Sequence, residues 1–325
     1  MGKPNVVAVT GATGFIGTAL CKYLTERGFD VRPIVRYAEL GSQAIAIGDV
    51  GPNTDWSRAL DGVDCVVHCA GRAHILKDVS DNPLQEFRRV NRDGTLQLAR
   101  SAEKAGVKRL VFLSSVGVVG ATRKNAEVFD INSIPRPEWD YAVSKWEAEQ
   151  ALNHLAQEAR LEITNVRPPM VYGPGVPANF LRLIKIVDLG LPLPLGAIQN
   201  YKSMVALANL LSFLEECILN DKAANRTFFV SDGNDLSTPD LIQLIAQALG
   251  RRVLLVPVPV FVLRILGQLT GRTQDVERLV GNLQIDTSYS CSTLGWAPPL
   301  SVESGISQTV KWYKTLRERR SLSSI

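Results

Sequence analysis

Val6-Val7-Ala8-Val9-Thr10-Gly11-Ala12-Thr13-Gly14-Phe15-Ile16-Gly17 is a short β-branched run that turns on three glycines into an amphipathic stretch, Phe15–Arg27. Glycines let a backbone turn tightly and approach a bound group closely, and a helix that starts there points free N–H groups at an anion. A strand, a glycine turn and a helix in this order form the cradle of a dinucleotide pyrophosphate. Gly11, Thr13, Gly14, Phe15, Ile16 and Gly17 are therefore the first candidate cofactor contacts.

The same alternation continues outward. Apolar runs at Val31–Val35, Ile45–Ile47, Val63–His68, Leu110–Leu113 and Ile163–Val166 are separated by amphipathic stretches that include Leu84–Ala105 and Tyr141–Ala159. Strands joined through helices imply right-handed crossovers and a parallel sheet covered on both faces. The expected fold class is α/β, a Rossmann-type doubly wound parallel sheet. After Tyr172-Gly-Pro-Gly-Val-Pro177 the chain becomes punctuated by Pro and Gly. Residues 1–172 read as the dinucleotide-binding domain and 173–325 mainly as a smaller C-terminal substrate lobe, with a return to the first domain left open.

Composition excludes several classes. The chain has 325 residues, 46% of them hydrophobic and 21% charged, which is ordinary for a globular protein. A net charge of +4 gives no support to a nucleic-acid polymer as partner. Five scattered cysteines without a CxxC pair suit reduced thiols and a cytoplasmic setting. The apolar stretch Val253–Leu263 carries two prolines and ends at Arg264, too short for a membrane span. It is expected to be a buried strand leading into a buried helix. The basic end Lys311–Arg320 reads as a solvated helix terminus. His68, His74 and His154 have no acidic or thiol partners at ligand spacing, so no metal is expected.

Tyr141-Ala-Val-Ser-Lys145 places a phenol and an ammonium one helical turn apart, where a cation favours the phenolate. Leu113-Ser114-Ser115 ends the fifth run, at the edge where parallel sheets present their ligands. The ordered set of glycine loop, serine, Tyr141 and Lys145, with GxxGxxG spacing, resembles the extended short-chain dehydrogenase/reductases, the NAD(P)-dependent nucleotide-sugar epimerase/dehydratase family.

That resemblance implies Ser115, Tyr141 and Lys145 as catalytic, with Ser114 as the runner-up serine, and Tyr141 and Lys145 also touching the cofactor. It implies cofactor contacts at Asp49, Val50, Ala70 and Gly71, and matches Asn91 to the family's helix asparagine. Arg36 stands where NAD-preferring members carry an acid, and a guanidinium there suits a 2′-phosphate, so NADP(H) is favoured with NAD(H) possible. The stretch Asn179–Gly196 and the ending Leu294–Pro299 look most like UDP-N-acetylhexosamine 4-epimerases and UDP-4-keto-6-deoxy-N-acetylglucosamine 4-reductases of surface-polysaccharide synthesis. Asn179, Lys202 and Arg278 are candidates for the substrate diphosphate, and Leu191–Gly196 for the segment around the uracil.

Val116 and Gly117 follow Ser115 where 4,6-dehydratases carry an acid pair, which argues against dehydration. The expected activity is hydride transfer at C4 of a UDP-sugar, as epimerase or 4-keto reductase. The resemblance also implies a homodimer formed through the helices around residues 84–105 and 141–158. Two other readings stay open: a non-catalytic NADP-binding regulator, and an oxidoreductase of a non-nucleotide alcohol or ketone such as a steroid.

Overall fold

The computed structural model describes residues 5–73, 80–120 and 128–322. The strands β1 (Val6–Thr10), β2 (Asp30–Val35), β3 (Ile45–Ala46), β4 (Cys65–His68), β5 (Arg109–Leu113) and β6 (Glu162–Arg167) lie within two residues of the runs read from the sequence. A separate pair, β7 (Met170–Tyr172) and β8 (Met204–Ala206), follows, and β9 (Arg226–Phe229) comes last. The large sheet has the order β3-β2-β1-β4-β5-β6-β9, with every neighbouring pair parallel. The order reverses between β1 and β4, so a crevice opens at their carboxyl ends.

The helices are α1 (Phe15–Glu26), α2 (Ser57–Leu60), α3 (Pro83–Phe87), α4 (Gly94–Lys104), α5 (Asp140–Glu158), α6 (Ala178–Asp188), α7 (Leu207–Leu219), α8 (Thr238–Leu249), α9 (Val260–Leu269), α10 (Thr273–Val280), α11 (Ser288–Leu294) and α12 (Val302–Leu322). One core gathers Leu20 and Leu24 of α1 with Leu210 and Leu214 of α7. A second gathers Leu60 of α2, Leu98 of α4 and Leu152 of α5. Side chains alternate across a strand, so Val7 and Val9 of β1 enter the first core and Ala8 the second. Both α7 and β9 come after residue 173 yet belong to the large sheet and its covering layer. A third core, with Phe180, Ile184, Ile245 and Ile306, holds α6, α8 and α12 together as the smaller lobe.

Where the sequence reads one helix over Leu84–Ala105, α3 and α4 are joined by a π-helical turn at Arg88–Asp93. Gly94 closes that turn, and a Cβ there would stand 2.6 Å from Val50 Cγ1. The widened turn brings Asn91 inward, where it is 1% exposed.

The lobes are fastened by a buried polar group. Tyr172 of β7 donates its hydroxyl to Asp232 Oδ2 at 2.7 Å, while Asp232 Oδ1 accepts from Ala206 N and Asn209 Nδ2. Burial pushes the Asp232 carboxyl up, and the three donors oppose that shift.

Val253–Leu263 differs from the expectation. Residues 253–259 form an irregular segment with one bridge, Leu193↔Leu255, and α9 buries only Leu263 and Gly267. Phe261, Ile265 and Leu269 face solvent. A continuous apolar run has no periodicity that tells a two-sided core helix from a one-sided surface helix.

Replacing Tyr172 with Phe deprives the buried Asp232 of one donor. Tyr172→Phe is expected to lower stability by about 1–3 kcal/mol, read as a lower urea midpoint with an unchanged slope.

Candidate active site

The glycine turn is built on contacts that exclude side chains. Gly11 has φ +67°, and a Cβ on it would lie 2.8 Å from Ala70 N. A Cβ on Gly17 would lie 2.1 Å from Gly11 O, so α1 packs directly on the turn that precedes it. Gly14 caps α1 without a side-chain bond, and the first turn holds no acidic residue. The helix N-terminus therefore keeps its affinity for an anion. Gly175, at the entry to the smaller lobe, lies beside the Phe15 ring, whose nearest carbon would be 3.5 Å from an added Cβ. Backbone room, a free helix end and a crevice at the strand-order reversal fit a dinucleotide.

Arg36 and Asp49, the residues expected to meet the adenosine, follow β2 and β3. They pair with each other, Nε to Oδ1 at 2.9 Å, and both are about two-thirds exposed. Val50 packs on Gly94, and Thr54 Oγ1 donates to the Asp49 carbonyl.

Where β1 and β4 end side by side, His68 is buried between Thr10 Oγ1 at 2.7 Å and Thr95 Oγ1 at 3.0 Å. Thr10 Oγ1 also accepts from Ala70 N. Burial, then the nearby Lys145 charge, pushes the His68 imidazole down to about 3, so it is neutral at physiological pH. Through Thr10, His68 thus holds the backbone at Ala70. His74 lies outside the described residues. Asn91 Oδ1 accepts from Arg72 N, and its Nδ2 donates to Arg72 O and Ser144 Oγ, which ties this loop to α5.

Tyr141 and Lys145 occupy the first turns of α5. Lys145 Nζ donates to the Leu113 carbonyl at 2.8 Å, with Nζ 4.5 Å from the Phe112 ring centre. Desolvation brings its ammonium down to about 8. Burial pushes the Tyr141 phenol up to about 12, and the nearby Ser115 side chain opposes that rise. Ser115 Oγ accepts from Gly117 N at 3.1 Å. Ser114 turns the other way, donating to the buried Glu149 Oε1 at 2.5 Å. The geometry thus separates the two serines that the sequence leaves as first choice and runner-up.

Glu149 is a residue that sequence reasoning misses. It is fully buried and accepts from Arg167 Nε and Nη2, with the shortest bond 2.5 Å. Arg167 itself lies between the rings of Trp146 and Phe229. The signal in the sequence is its spacing: Glu149 follows Lys145 by four and so shares its face of α5.

Of the substrate candidates, Lys202 and Arg278 meet, and Asn179 stands on another helix. Asn179 is exposed in the first turn of α6, whose N-terminus carries no side-chain cap and no acidic residue. Lys202 donates to the Arg278 and Leu279 carbonyls at the end of α10, and burial brings its ammonium down to about 8. The Arg278 side chain is exposed. Among the described residues no group of His, Cys, Asp and Glu is placed to hold a metal ion, and no helix is long and apolar enough to cross a membrane.

A parallel sheet with a glycine cradle and a Ser-Tyr-Lys set at its crevice defines a nicotinamide-dependent oxidoreductase scaffold. The NAD dependent epimerase/dehydratase family matches residues 7–190, and the chain belongs to that family. It is 40% identical to a UDP-glucose 4-epimerase of Vibrio cholerae, over 97% of this chain and 98% of the relative. It is 29% identical to an N-acetyl-α-D-glucosaminyl-diphospho-ditrans,octacis-undecaprenol 4-epimerase of Escherichia coli O157:H7, over 94% of each chain. Among solved structures it resembles MoeE5 in complex with UDP-glucose and NAD, with a TM-score of 0.76 at 23% identity over 96% of this chain and 99% of that one.

Two variants probe this site. Gly17→Ala is expected to weaken NAD binding by roughly tenfold or more in a fluorescence titration, with unchanged circular dichroism. Arg167→Leu leaves Glu149 buried without its counter-ion and is expected to cost about 3–5 kcal/mol in urea unfolding.

Proposed function

We propose that the protein interconverts C4 epimers of a UDP-linked hexose or N-acetylhexosamine, with NAD as its cofactor. The observation that carries this reading is the Tyr141 phenol set close to the Ser115 hydroxyl at the head of the helix that also holds the buried Lys145 ammonium. Gly11, Thr13, Gly14, Phe15, Ile16 and Gly17 would hold the pyrophosphate, and Ala70 and Gly71 would line the crevice. Bound NAD supplies the capacity to take a hydride from C4 and return it.

The chain's own residues handle the proton. Tyr141 as phenolate takes the proton of the C4 hydroxyl, and as phenol it gives that proton back once the sugar has turned. Ser115 donates to the C4 oxygen and holds it against Tyr141. Lys145 would favour the phenolate through its charge, and Ser115 opposes the burial that raises the phenol. Val116 and Gly117, both buried beside Ser115, have no proton to exchange at C5 or C6, which supports epimerisation over dehydration.

Asp49 partly neutralises Arg36, so the guanidinium is not a free donor to a 2′-phosphate. This supports NAD, and the lean toward NADP(H) drawn from Arg36 alone is not kept. Asn179 and the α6 N-terminus would meet the diphosphate first. The Lys202 ammonium would have to release the Arg278 and Leu279 carbonyls to join, whereas the exposed Arg278 side chain would join without breaking a bond that holds it. A cytoplasmic homodimer formed through helices around 84–105 and 141–158 completes the proposal.

Incubation with UDP-glucose or UDP-N-acetylglucosamine should give the C4 epimer without net change in nicotinamide absorbance. Stoichiometric NADPH loss with a 4-keto-6-deoxy sugar nucleotide, and no epimer, would establish the reductase instead. Tyr141→Phe is expected to lower kcat by roughly 10²–10⁴-fold while NAD binding persists.

The Lys145 ammonium is present below about pH 8 and lost above it. Turnover should therefore decline as pH rises through that value, and Lys145→Arg should move the decline upward.

A further inference from the structure

We propose that the solvent face of α9 and the segment leading into it form a docking surface for an anionic phospholipid bilayer. The proposal goes beyond the reaction at C4 and does not depend on it. Phe261, Ile265 and Leu269 recur at i, i+4 and i+8, so they line one side of α9 and are 64%, 50% and 79% exposed. The opposite side is the packed one: Leu263 is buried, and Gly267 admits Val276 of α10 so closely that a Cβ would stand 2.7 Å from it.

The apolar surface extends beyond the helix. Leu254 is exposed in the approach to α9, and the Leu193↔Leu255 bridge brings this approach alongside the segment that carries exposed Leu189 and Leu191. Six large aliphatic or aromatic side chains on two adjoining segments exceed the scattered exposure of an ordinary surface and mark an interaction site.

Charge selects the occupant. Residues 251–272 contain four arginines and no carboxylate. Arg252 and Arg272, before and after the apolar row in the chain, are exposed, while Arg251 is paired with Asp188 and Arg264 with Glu277. The carboxylates at the margin are largely neutralised: Asp188 takes Arg251 and Arg317, and Glu277 takes Arg264. Asp275 alone stands exposed at the start of α10.

Apolar side chains rimmed by arginine match the acyl boundary and anionic headgroups of a bilayer. A second copy would bring the same positive rim against this one and be repelled. No helix among the described residues spans a membrane, so the attachment is peripheral and reversible.

The test is co-sedimentation of the full chain with vesicles of phosphatidylcholine alone and of phosphatidylcholine mixed with phosphatidylglycerol. Binding is expected to the anionic vesicles, roughly tenfold weaker to the neutral ones, and to fall with added salt. Phe261→Ser with Leu269→Ser should reduce binding by roughly tenfold or more without lowering Tm, since both side chains are exposed. Arg252→Gln with Arg272→Gln should remove the preference for phosphatidylglycerol and leaves the apolar row intact should the first variant fold poorly. Failure to bind anionic vesicles, or equal binding by both variants, would overturn the proposal. So would loss of a dimer in the serine variant of a protein that ignores vesicles, which would make this face a self-association surface.

Discussion

The site depends on how α5 is fastened to the carboxyl end of β5. Lys145 Nζ donates to the Leu113 carbonyl, and one turn further along Glu149 accepts from the next residue, Ser114. Both bonds lie in the interior, where a polar group without a partner is costly, so the helix cannot slide or rotate against the strand without breaking them. Ser115 and Tyr141 stand at the open end of the same junction. Their closeness follows from a register fixed by buried charges deeper in the molecule.

Arg167 makes that register tolerable. A buried carboxylate without a counter-ion is strongly unfavourable, and the guanidinium on β6 meets Glu149 through two nitrogens. Two neighbouring strands and the helix over them are thereby joined: β5 through Leu113 and the Ser114 that follows it, and β6 through Arg167. The cofactor crevice borrows this rigidity. His68 stays neutral between two threonines, one of which also holds the backbone at Ala70. The wall facing the glycine turn is therefore set by hydrogen bonds that do not titrate near neutral pH.

Much of this architecture is legible in the order of residues. Continuous apolar runs and period-3.6 patterns locate the first six strands and the main helices of the first 170 residues, because strands buried on both faces read as continuous β-branched runs. The glycines at 11, 14 and 17 and the Tyr141/Lys145 spacing are local signals that need only a few residues to be seen. Legibility fails where the physical reason is non-local. Nothing near Arg226–Phe229 says that it completes a sheet begun 220 residues earlier, and the apolar run before Arg264 does not say which side finds a partner. Arg36 alone suggests a phosphate site, and only folding brings Asp49 against it.

Sequence by itself determined the strand–turn–helix cradle, the parallel architecture and the pairing of Tyr141 with Lys145, since each rests on backbone conformations and spacings within one or two turns of chain. Tertiary structure alone decided that Ser115 rather than Ser114 meets Tyr141, that Glu149 and Arg167 share a buried charge, and that α9 presents an apolar side to solvent. Those outcomes depend on which surfaces close against each other. Contacts between residues far apart in the chain leave no periodic trace in it.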